Sequence, residues 1–248
     1  MRTVDELRVK IFADGADLGG ILKLYKNPHI KGFTTNPTLM RKAGIDDYES
    51  FARTLLEAVP DRPVSLEVFA DDLSEMARQA RVIASWGSNV NVKIPVTNTQ
   101  GVFCGPTIRE LSAEGVVVNV TAVMTADQVR RIADCLAPET PAIVSVFAGR
   151  VADTGRDPIP LMRESVEILK ARPKAELIWA SPRELLNVMQ ADEVGCHIIT
   201  ATSDILAKLG LVGKDLDAYS LETVAMFRSD ALAAGYTIAD DGRMRAVA

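Results

Sequence analysis

The sequence is poor in the residues from which metal centres and disulfide frameworks are built. Its three cysteines (Cys104, Cys135 and Cys196) are far apart and form no C-x-x-C motif, and its only histidines are His29 and His197. An odd number of isolated cysteines is typical of reduced thiols, so we expect a cytoplasmic protein. Two histidines offer little to a histidine-rich metal site or to a Ser-His-Asp triad, and we predict no metal site.

Other absences exclude whole classes of function. Lys and Arg number 28 against 33 Asp and Glu, and no basic block occurs, so nucleic acid is not an expected partner. The apolar runs are far shorter than a membrane span, and the mixed-charge start lacks the core of a signal peptide, so we expect no membrane segment. Neither G-x-G-x-x-G nor G-x-x-x-x-G-K follows a predicted strand, which disfavours a nucleotide-binding open sheet.

What the chain does contain is an alternation of two kinds of segment. Its 248 residues are 48% hydrophobic, enough for one large α/β domain. Short apolar runs, typical of parallel strands covered on both faces, alternate with longer helix-like segments. We predict eight strands, at 9–13, 31–34, 64–69, 89–94, 116–120, 142–147, 176–180 and 197–200. Eight alternations without a linker favour a single closed (β/α)8 TIM barrel, with a doubly wound open sheet as the alternative.

Amphipathic spacing and capping signals predict the helices. Apolar residues recur at i, i+3 and i+4 in 72–86 and 125–136, and the second segment opens with the capping-box pattern Thr125-x-x-Gln128. Segments 158–170 and 182–190 each begin with proline, a favoured first helical residue. A helix is predicted at 203–209 and an extra C-terminal helix at 221–234. The barrel domain is therefore predicted to span 1–239, and 240–248 to be a flexible tail.

The predicted strand at 89–94 carries an unusual residue, Lys93. Side chains alternate along a strand, so Lys93 shares a face with Asn89 and Asn91 and lies at the carboxyl end. A buried lysine is rare unless it is paired or used, and a neutral amine can attack a carbonyl to form a Schiff base. We expect the carboxylate side chains of the site to lie several ångströms from the Lys93 amine, because a closer carboxylate would hold the amine as ammonium. An exposed lysine on an edge strand is the alternative.

Polar side chains also stand at the carboxyl ends of most other predicted strands, where barrel enzymes have their active sites. Each has a structural alternative. Asp14 and Asn36 could be a turn residue and a helix start, Glu67 could face solvent, and Ser145 could fill the core. The two arginines could be surface cations. Their joint occurrence at matching strand ends favours one site formed by Asp14, Thr34, Asn36, Glu67, Lys93, Asn119, Thr121, Ser145, Arg150, Ser181 and Arg183.

These residues resemble the transaldolase family, and within it the short-chain subgroup that includes fructose-6-phosphate aldolase. The matching motifs, in family order across about residues 9–210, are FAD (12–14), GFTTNP (32–37), EV (67–68), VKIPVT (92–97), NVTA (119–122), SVFAGR (145–150) and ASPR (180–183). The segment TVAMFRSD (223–230) resembles the last helix of the subgroup. The resemblance implies a (β/α)8 barrel, sugar-phosphate substrates of the pentose phosphate pathway, and Schiff-base chemistry without metal or organic cofactor.

The resemblance also implies a role for each matching position. Lys93 is similar to the nucleophile that condenses with the ketose phosphate, and Asp14 to the acid/base that takes the proton from the C4 hydroxyl. Glu67 and Thr121 resemble the pair that positions a catalytic water. The implied substrate-binding residues are Thr34, Asn36, Asn119 and Ser145 around the three-carbon unit, Phe147 beside it, and Arg150, Ser181 and Arg183 at the phosphate.

Two positions bear on the balance between transferase and lyase. Fructose-6-phosphate aldolases tend to carry glutamine where Glu67 stands and tyrosine where Phe147 stands, so this chain has the transaldolase pairing. A phenyl ring cannot hydrogen-bond the catalytic water as a phenol can. We therefore predict transfer of a dihydroxyacetone unit from fructose 6-phosphate or sedoheptulose 7-phosphate to an aldose phosphate. The alternatives are a lyase that uses the same residues and a non-catalytic sugar-phosphate binder.

Departures from the subgroup and its assembly give further expectations. Segment 98–107 is longer than its equivalent, Pro182 stands where phenylalanine is more common, and Asn91 replaces a usually apolar residue. A buried amide needs hydrogen-bond partners. Short members of the family form rings of five, often stacked as ten, in which the last helix reaches a neighbour. We therefore expect a homo-oligomer, a pentamer or decamer, with a helix that covers its own barrel as the alternative.

Overall fold

The computed structural model describes residues 3–238, and these residues fall into two compact units that divide after Gly210. The first unit contains all the strands, and the second contains the C-terminal helix. The predicted tail at 240–248 lies outside the described residues, as does the last residue of the predicted domain 1–239.

Eight parallel strands close into a barrel in which each strand pairs with the next in sequence and the last pairs with the first. This confirms the predicted (β/α)8 barrel. The predicted strands are all present, with ends shifted by at most three residues. They are β1 (Lys10–Asp14), β2 (Ile30–Thr34), β3 (Val64–Glu67), β4 (Val90–Pro95), β5 (Val118–Val123), β6 (Ala142–Val146), β7 (Ala175–Trp179) and β8 (Ile198–Ala201).

Helices follow the strands and cover the outside of the barrel because one face of each is apolar. In the segment with the predicted capping box, Thr125 and Gln128 cap the helix as expected, and Val129, Ile132 and Ala133 are buried. The helices of the first unit are α1 (Leu18–Tyr25), α2 (Pro37–Lys42), α3 (Tyr48–Ala58), α4 (Leu73–Ala84), α5 (Gly105–Ala113), α6 (Ala126–Ala133), α7 (Ala148–Ala152), α8 (Ile159–Leu169), α9 (Leu186–Glu193) and α10 (Ser203–Leu206).

The prediction of a helix that begins at Pro182 is wrong, because α9 begins at Leu186. Ser181 has a φ of 60°, which turns the chain out of the strand in a left-handed conformation. The backbone N–H groups of Arg183 and Glu184 then donate to the Asn187 side chain at 2.7 and 3.2 Å. Pro182 therefore lies in a loop that Asn187 holds from inside the following helix.

Apolar side chains fill the middle of the barrel and separate its two mouths. Phe12, Ile143, Ile178, Ala180 and Ile198 form a buried cluster of inward-facing residues. The Phe12 ring leaves no room for a side chain on β2, since a Cβ on Gly32 would lie 2.5 Å from it. The polar side chains at the carboxyl ends of the strands are thus separated from the amino mouth. Asn91, the amide that we expected to need partners, lines a separate cavity at the amino mouth.

The second unit is described by itself and consists mainly of helix α11 (Leu216–Ala233). This helix begins five residues before the predicted start because Asp215 caps it, accepting from the Ala218 N–H at 2.8 Å. None of its residues is buried, and Leu221 and Phe227 are 70% and 63% exposed. Among the helices of residues 3–238, none is both long enough and apolar enough to cross a membrane.

Candidate active site

A cavity of about 460 Å³ opens at the carboxyl ends of the strands. Eleven of the twelve predicted site residues line it, and the twelfth, Arg183, lines a neighbouring cavity of about 270 Å³. Asp14, Ser181 and Thr200 line both cavities. The residues of the main cavity that the sequence predicted are Asp14, Thr34, Asn36, Glu67, Lys93, Asn119, Thr121, Ser145, Phe147, Arg150 and Ser181.

Lys93 lies on a central strand and is only 6% exposed, so the edge-strand alternative is wrong. Its Nζ donates to the Thr35 carbonyl at 2.7 Å and forms an ion pair with Glu67 Oε2 at 2.9 Å. Our expectation that the carboxylates stand several ångströms from this amine is therefore wrong for Glu67. The cause is the register of β3 and β4, which sets Glu67 directly opposite Lys93.

Asp14 ends β1 and accepts a hydrogen bond from Thr34 Oγ1 at 2.7 Å. The Thr34 hydroxyl also lies 2.6 Å from Thr200 Oγ1. Burial raises the pKa of Asp14 above its ordinary value, and the Thr34 hydrogen bond and the Lys93 charge oppose this shift. Asp14 is not a helix cap, because Asp17 caps α1. The carboxyl group is therefore free to face the cavity.

Thr121 projects into the cavity from an irregular stretch of β5. The pairing of β5 with β6 slips between Val120 and Val123, and Ala122 has a φ of 61°. Such a bulge redirects the side chains around it. Thr121 Oγ1 is buried and has no hydrogen-bond partner among residues 3–238. A buried hydroxyl without a partner is costly, and it suits a position where a bound molecule or water completes the hydrogen bonding.

Asn119 and Ser145 are linked by hydrogen bonds on the floor of the cavity. Ser145 Oγ donates to Asn119 Oδ1 at 2.7 Å, and Asn119 Nδ2 donates to Ser65 Oγ at 3.1 Å. All three side chains are at most 4% exposed. Ser145 is thus more than core filler, because it fixes the orientation of the Asn119 amide.

Asn36 combines the two interpretations that the sequence left open. Its Oδ1 accepts from the Leu39 N–H at 3.0 Å and caps α2, which begins at Pro37 as expected of a helix start. The same residue lines the cavity. The helix cap occupies the amide oxygen of Asn36, and this contact fixes the direction in which the amide nitrogen points.

The two arginines at the rim are in different environments. Arg183 donates to both carboxylate oxygens of Asp153, with Nε–Oδ1 at 2.8 Å, and its Nη1 donates to Ser181 Oγ at 3.0 Å. This ion pair lowers the pKa of Asp153. Arg150 is exposed, lies 5.6 Å from the centre of the Phe147 ring, and has no ion-pair partner among residues 3–238.

Segment 98–107 does not line the cavity, although it follows β4 directly. It folds back on the strand through a bridge between Thr97 and Phe103. Asp71 holds its tip, accepting from the Thr99 N–H and hydroxyl at 2.7 Å each. The extra length is therefore accommodated at the side of the barrel mouth.

Sequence reasoning missed several residues that build the site. Thr200 could have been found, because it alternates inward at the carboxyl end of the predicted strand 197–200. Thr35 acts through its backbone carbonyl, for which the sequence carries no signal. Asp153 accepts from Arg183, and the Tyr48 hydroxyl donates to the Glu67 carbonyl at 3.0 Å. Both residues lie at helix ends, and their contacts arise only in the folded chain.

The described part of the chain contains no group of three or more His, Cys, Asp or Glu side chains arranged to hold a metal ion. The three cysteines are buried and unpaired. Burial raises the pKa of Cys104 to about 11 and that of Cys196 to about 12, so both thiols are held in the protonated form.

Comparisons with known proteins identify related sequences. Residues 11–239 match the protein family described as Transaldolase/Fructose-6-phosphate aldolase. A probable transaldolase from Dehalococcoides mccartyi is 38% identical over 202 residues, which cover 81% of this chain and 90% of that protein. Probable transaldolase 2 of Listeria monocytogenes is 34% identical over 223 residues, which cover 86% of this chain and 98% of that protein.

Solved structures support the fold. The 3-hexulose-6-phosphate synthase from Salmonella typhimurium has a TM-score of 0.55 to this chain at 16% identity, and the match covers 80% of this chain and 91% of that one. At that identity the likeness concerns the barrel alone. On the family match and the two relatives above 30% identity, the chain belongs to the transaldolase/fructose-6-phosphate aldolase family and is an enzyme of the transaldolase type.

Proposed function

We propose that this enzyme transfers a dihydroxyacetone unit from fructose 6-phosphate or sedoheptulose 7-phosphate to an aldose phosphate, through a Schiff base on Lys93. The observation that carries the proposal is the position of Lys93 Nζ, which is buried in the cavity and lies 2.9 Å from Glu67 Oε2. An adjacent carboxylate favours the ammonium form of an amine, but it is also the nearest acceptor for the proton that the amine must give up to become nucleophilic when a carbonyl is bound.

Glu67 acts first as the base and then as the acid. It takes one proton from the Lys93 ammonium, and the neutral amine adds to the C2 carbonyl of the ketose to give a carbinolamine. The protonated Glu67 then returns the proton to the departing hydroxyl, which leaves as water when the iminium forms. Thr121 Oγ1 is buried and has no partner in the described part of the chain, so it is suited to hold that water.

Asp14 carries out the proton transfers of carbon–carbon cleavage. It takes the proton from the C4 hydroxyl as the C3–C4 bond breaks, and the bonding electrons move into the iminium to give an enamine on Lys93. An aldehyde leaves and an acceptor aldehyde replaces it. When the new bond forms, Asp14 returns the proton to the new hydroxyl. Its raised pKa suits a group that gains and loses a proton in each cycle.

The remaining predicted residues bind the substrate. Thr34, Asn36, Asn119 and Ser145 offer fixed hydroxyl and amide groups to the hydroxyls of the three-carbon unit. Arg150 is the cation at the rim that has no ion pair among the described residues, so its forked donors suit the phosphate. Ser181 and Arg183 complete that phosphate site from the other side, and Arg183 is already oriented by Asp153.

The test of this proposal is product analysis with and without an acceptor. Fructose 6-phosphate alone should release free dihydroxyacetone much more slowly than the enzyme makes sedoheptulose 7-phosphate when erythrose 4-phosphate is added. Equal turnover in the two assays would contradict the transferase and support the lyase. No turnover of either kind would support a sugar-phosphate binder.

We also propose a homo-oligomer, a pentamer or decamer, and a cytoplasmic location within the pentose phosphate pathway. Helix α11 supports the assembly because Leu221, Val224, Phe227 and Leu232 are each at least 61% exposed. Apolar side chains in such numbers usually mark a contact surface. Light scattering tests this, and a monomeric mass at working concentration would rule the ring out.

A further inference from the structure

We propose that Thr200 is a positioning residue for Asp14: through Thr34, its hydroxyl supports the hydrogen bond to Asp14 in both the ionised and the protonated state. The inference rests on the proposed acid/base role of Asp14. It starts from two contacts in series, 2.6 Å from Thr200 Oγ1 to Thr34 Oγ1 and 2.7 Å from Thr34 Oγ1 to Asp14 Oδ1.

The fold places these groups side by side. Strand β1 lies between β2 and β8. On one edge Asp14 is opposite Thr34, and on the other edge Thr200 is opposite Phe12, two residues before Asp14. The two threonine hydroxyls meet 2.6 Å apart beside the end of β1. Thr34 is 3% exposed and Thr200 is 6% exposed. Water therefore has little access to the bond between the two hydroxyls.

Counting protons fixes the direction of the chain when Asp14 is ionised. A carboxylate can only accept, so the single hydroxyl proton of Thr34 goes to Asp14. The contact between the two threonines then needs its proton from Thr200. The donation runs from Thr200 to Thr34 to Asp14, and each donor polarises the next one toward the charge.

The same chain runs in reverse after Asp14 has taken the substrate's proton. The carboxylic acid donates to Thr34, Thr34 donates to Thr200, and the proton of Thr200 turns toward the cavities that it lines. Hydroxyl groups both donate and accept, whereas a backbone N–H or an ammonium can only donate. A hydroxyl pair is therefore suited to a carboxyl group that changes protonation state twice in each turnover.

Other charged groups face Asp14 and stay in place when Thr200 is changed. Lys93 lowers its pKa and Glu67 raises it. Arg183 and Asp204 line the smaller cavity together with Asp14. All four charged groups remain in a Thr200 variant. A change in the pH dependence of its activity can therefore be attributed to loss of the Thr200 hydroxyl.

The experiment compares Thr200→Val, which keeps the shape and removes the hydroxyl, with Thr200→Ser, which keeps the hydroxyl. We expect Thr200→Val to lower kcat for the transfer reaction about 3- to 10-fold, the usual worth of one hydrogen bond, with KM changed by less than about twofold. The acidic limb of the plot of kcat/KM against pH should move to higher pH. A charge-assisted hydrogen bond is stronger than a neutral one, so loss of the Thr200 hydroxyl destabilises the ionised form of Asp14 more than the protonated form. Thr200→Ser should restore both values.

An unchanged pH profile and kcat in Thr200→Val, or a Thr200→Ser variant that behaves like it, would overturn the inference. Thermal unfolding confirms that both variants are folded before the comparison. Borohydride trapping with fructose 6-phosphate separates this inference from the proposed function, because the adduct on Lys93 does not depend on Thr200. Absence of an adduct in the unchanged enzyme would instead contradict the proposed function.

Discussion

At the scale of single residues, two carboxyl groups of one cavity have different surroundings. Glu67 is paired with the Lys93 ammonium at 2.9 Å. Asp14 accepts from the Thr34 hydroxyl, and burial raises its pKa. Different surroundings give carboxyl groups different roles. We therefore assign proton exchange with the amine to Glu67 and proton exchange with the substrate's hydroxyl to Asp14.

Asp14→Asn should separate bond cleavage from Schiff-base formation. The amide still accepts from Thr34 but cannot take a proton, so turnover should fall about 100- to 10,000-fold. Lys93 and Glu67 are unchanged, and borohydride with fructose 6-phosphate should therefore still trap an adduct. A variant that lost the adduct as completely as turnover would show that Asp14 is needed before cleavage.

Glu67→Gln should slow the formation of the adduct. The glutamine keeps the shape of the side chain, but it cannot take the proton of the Lys93 ammonium, and Phe147 has no hydroxyl that could compensate as the tyrosine of the aldolases can. The trapping rate should therefore fall about 100-fold or more. The chain supplies a matched control at the other mouth, where Lys10 Nζ lies 2.6 Å from Glu176 Oε1. Glu176→Gln should leave the trapping rate unchanged, and equal slowing in both variants would argue for a general electrostatic effect.

At the scale of elements, the proposed phosphate side of the site depends on a close approach between α7 and the loop after β7. A Cβ on Gly149 would lie 1.5 Å from the Ser181 carbonyl oxygen, and the Gly149 N–H donates to the Ala180 carbonyl at 3.3 Å. Ser181 itself has a φ of 60°. The helix that carries Arg150 is thus set against the loop that carries Arg183.

Gly149→Ala should push these two elements apart. We expect a destabilisation of about 1–3 kcal/mol, as for other overpacked sites, and a rise in KM for sugar phosphates. Gly19→Ala is the control, because its Cβ would meet only Asp17 Oδ1, at 3.7 Å, and alanine favours a helix by about 0.5–1 kcal/mol. Denaturant unfolding and steady-state kinetics measure both effects, and a Gly149→Ala enzyme with unchanged KM would contradict the arrangement.

The elements were easier to predict from the sequence than the contacts between them. Alternation of apolar runs identified all eight strands, and the polar strand ends identified the residues of the cavity. The ion pair of Glu67 with Lys93 was not predicted, because it depends on the register of β3 against β4, which the two sequences do not specify alone. The start of α9 at Leu186 was missed because the contacts of Asn187 outweigh the helix-start preference of Pro182.

At the scale of the whole molecule, the two mouths of the barrel have different tasks. The carboxyl mouth carries the candidate active site, and the amino mouth carries contacts that join distant parts of the chain. Asp192 accepts from the backbone N–H groups of Arg8 and Val9 at 2.6 and 3.0 Å. His197 Nδ1 accepts from the Leu177 N–H at 3.0 Å, which requires a ring without a proton on that nitrogen.

His197 should make the stability of the barrel dependent on pH. Burial lowers its pKa below the ordinary value of 6.5, so the unfolded chain binds a proton that the folded chain does not. The contribution is present above pH 6.5 and is lost as the pH falls from there toward the folded value, at no more than about 1.4 kcal/mol per pH unit.

His197→Asn tests this, because an amide oxygen can accept from Leu177 without titrating. Denaturant unfolding at about pH 7.5 and about pH 5.5 should show a smaller difference in free energy of unfolding than in the unchanged protein. His29→Asn is the control, because His29 lies on the surface with its Nε2 3.6 Å from Asp5, and it should leave the His197 contribution in place. The same pH dependence in His197→Asn as in the unchanged protein would place its source elsewhere.

The most direct test of the central proposal is the location of a covalent adduct. The enzyme is incubated with fructose 6-phosphate, reduced with borohydride, digested, and examined by peptide mass spectrometry. We predict that the three-carbon dihydroxyacetone unit is attached, after reduction, to Lys93, and that Lys93→Arg, which keeps the charge without a usable amine, gives none. An adduct on another lysine, or an active enzyme that gives no adduct at all, would contradict the account.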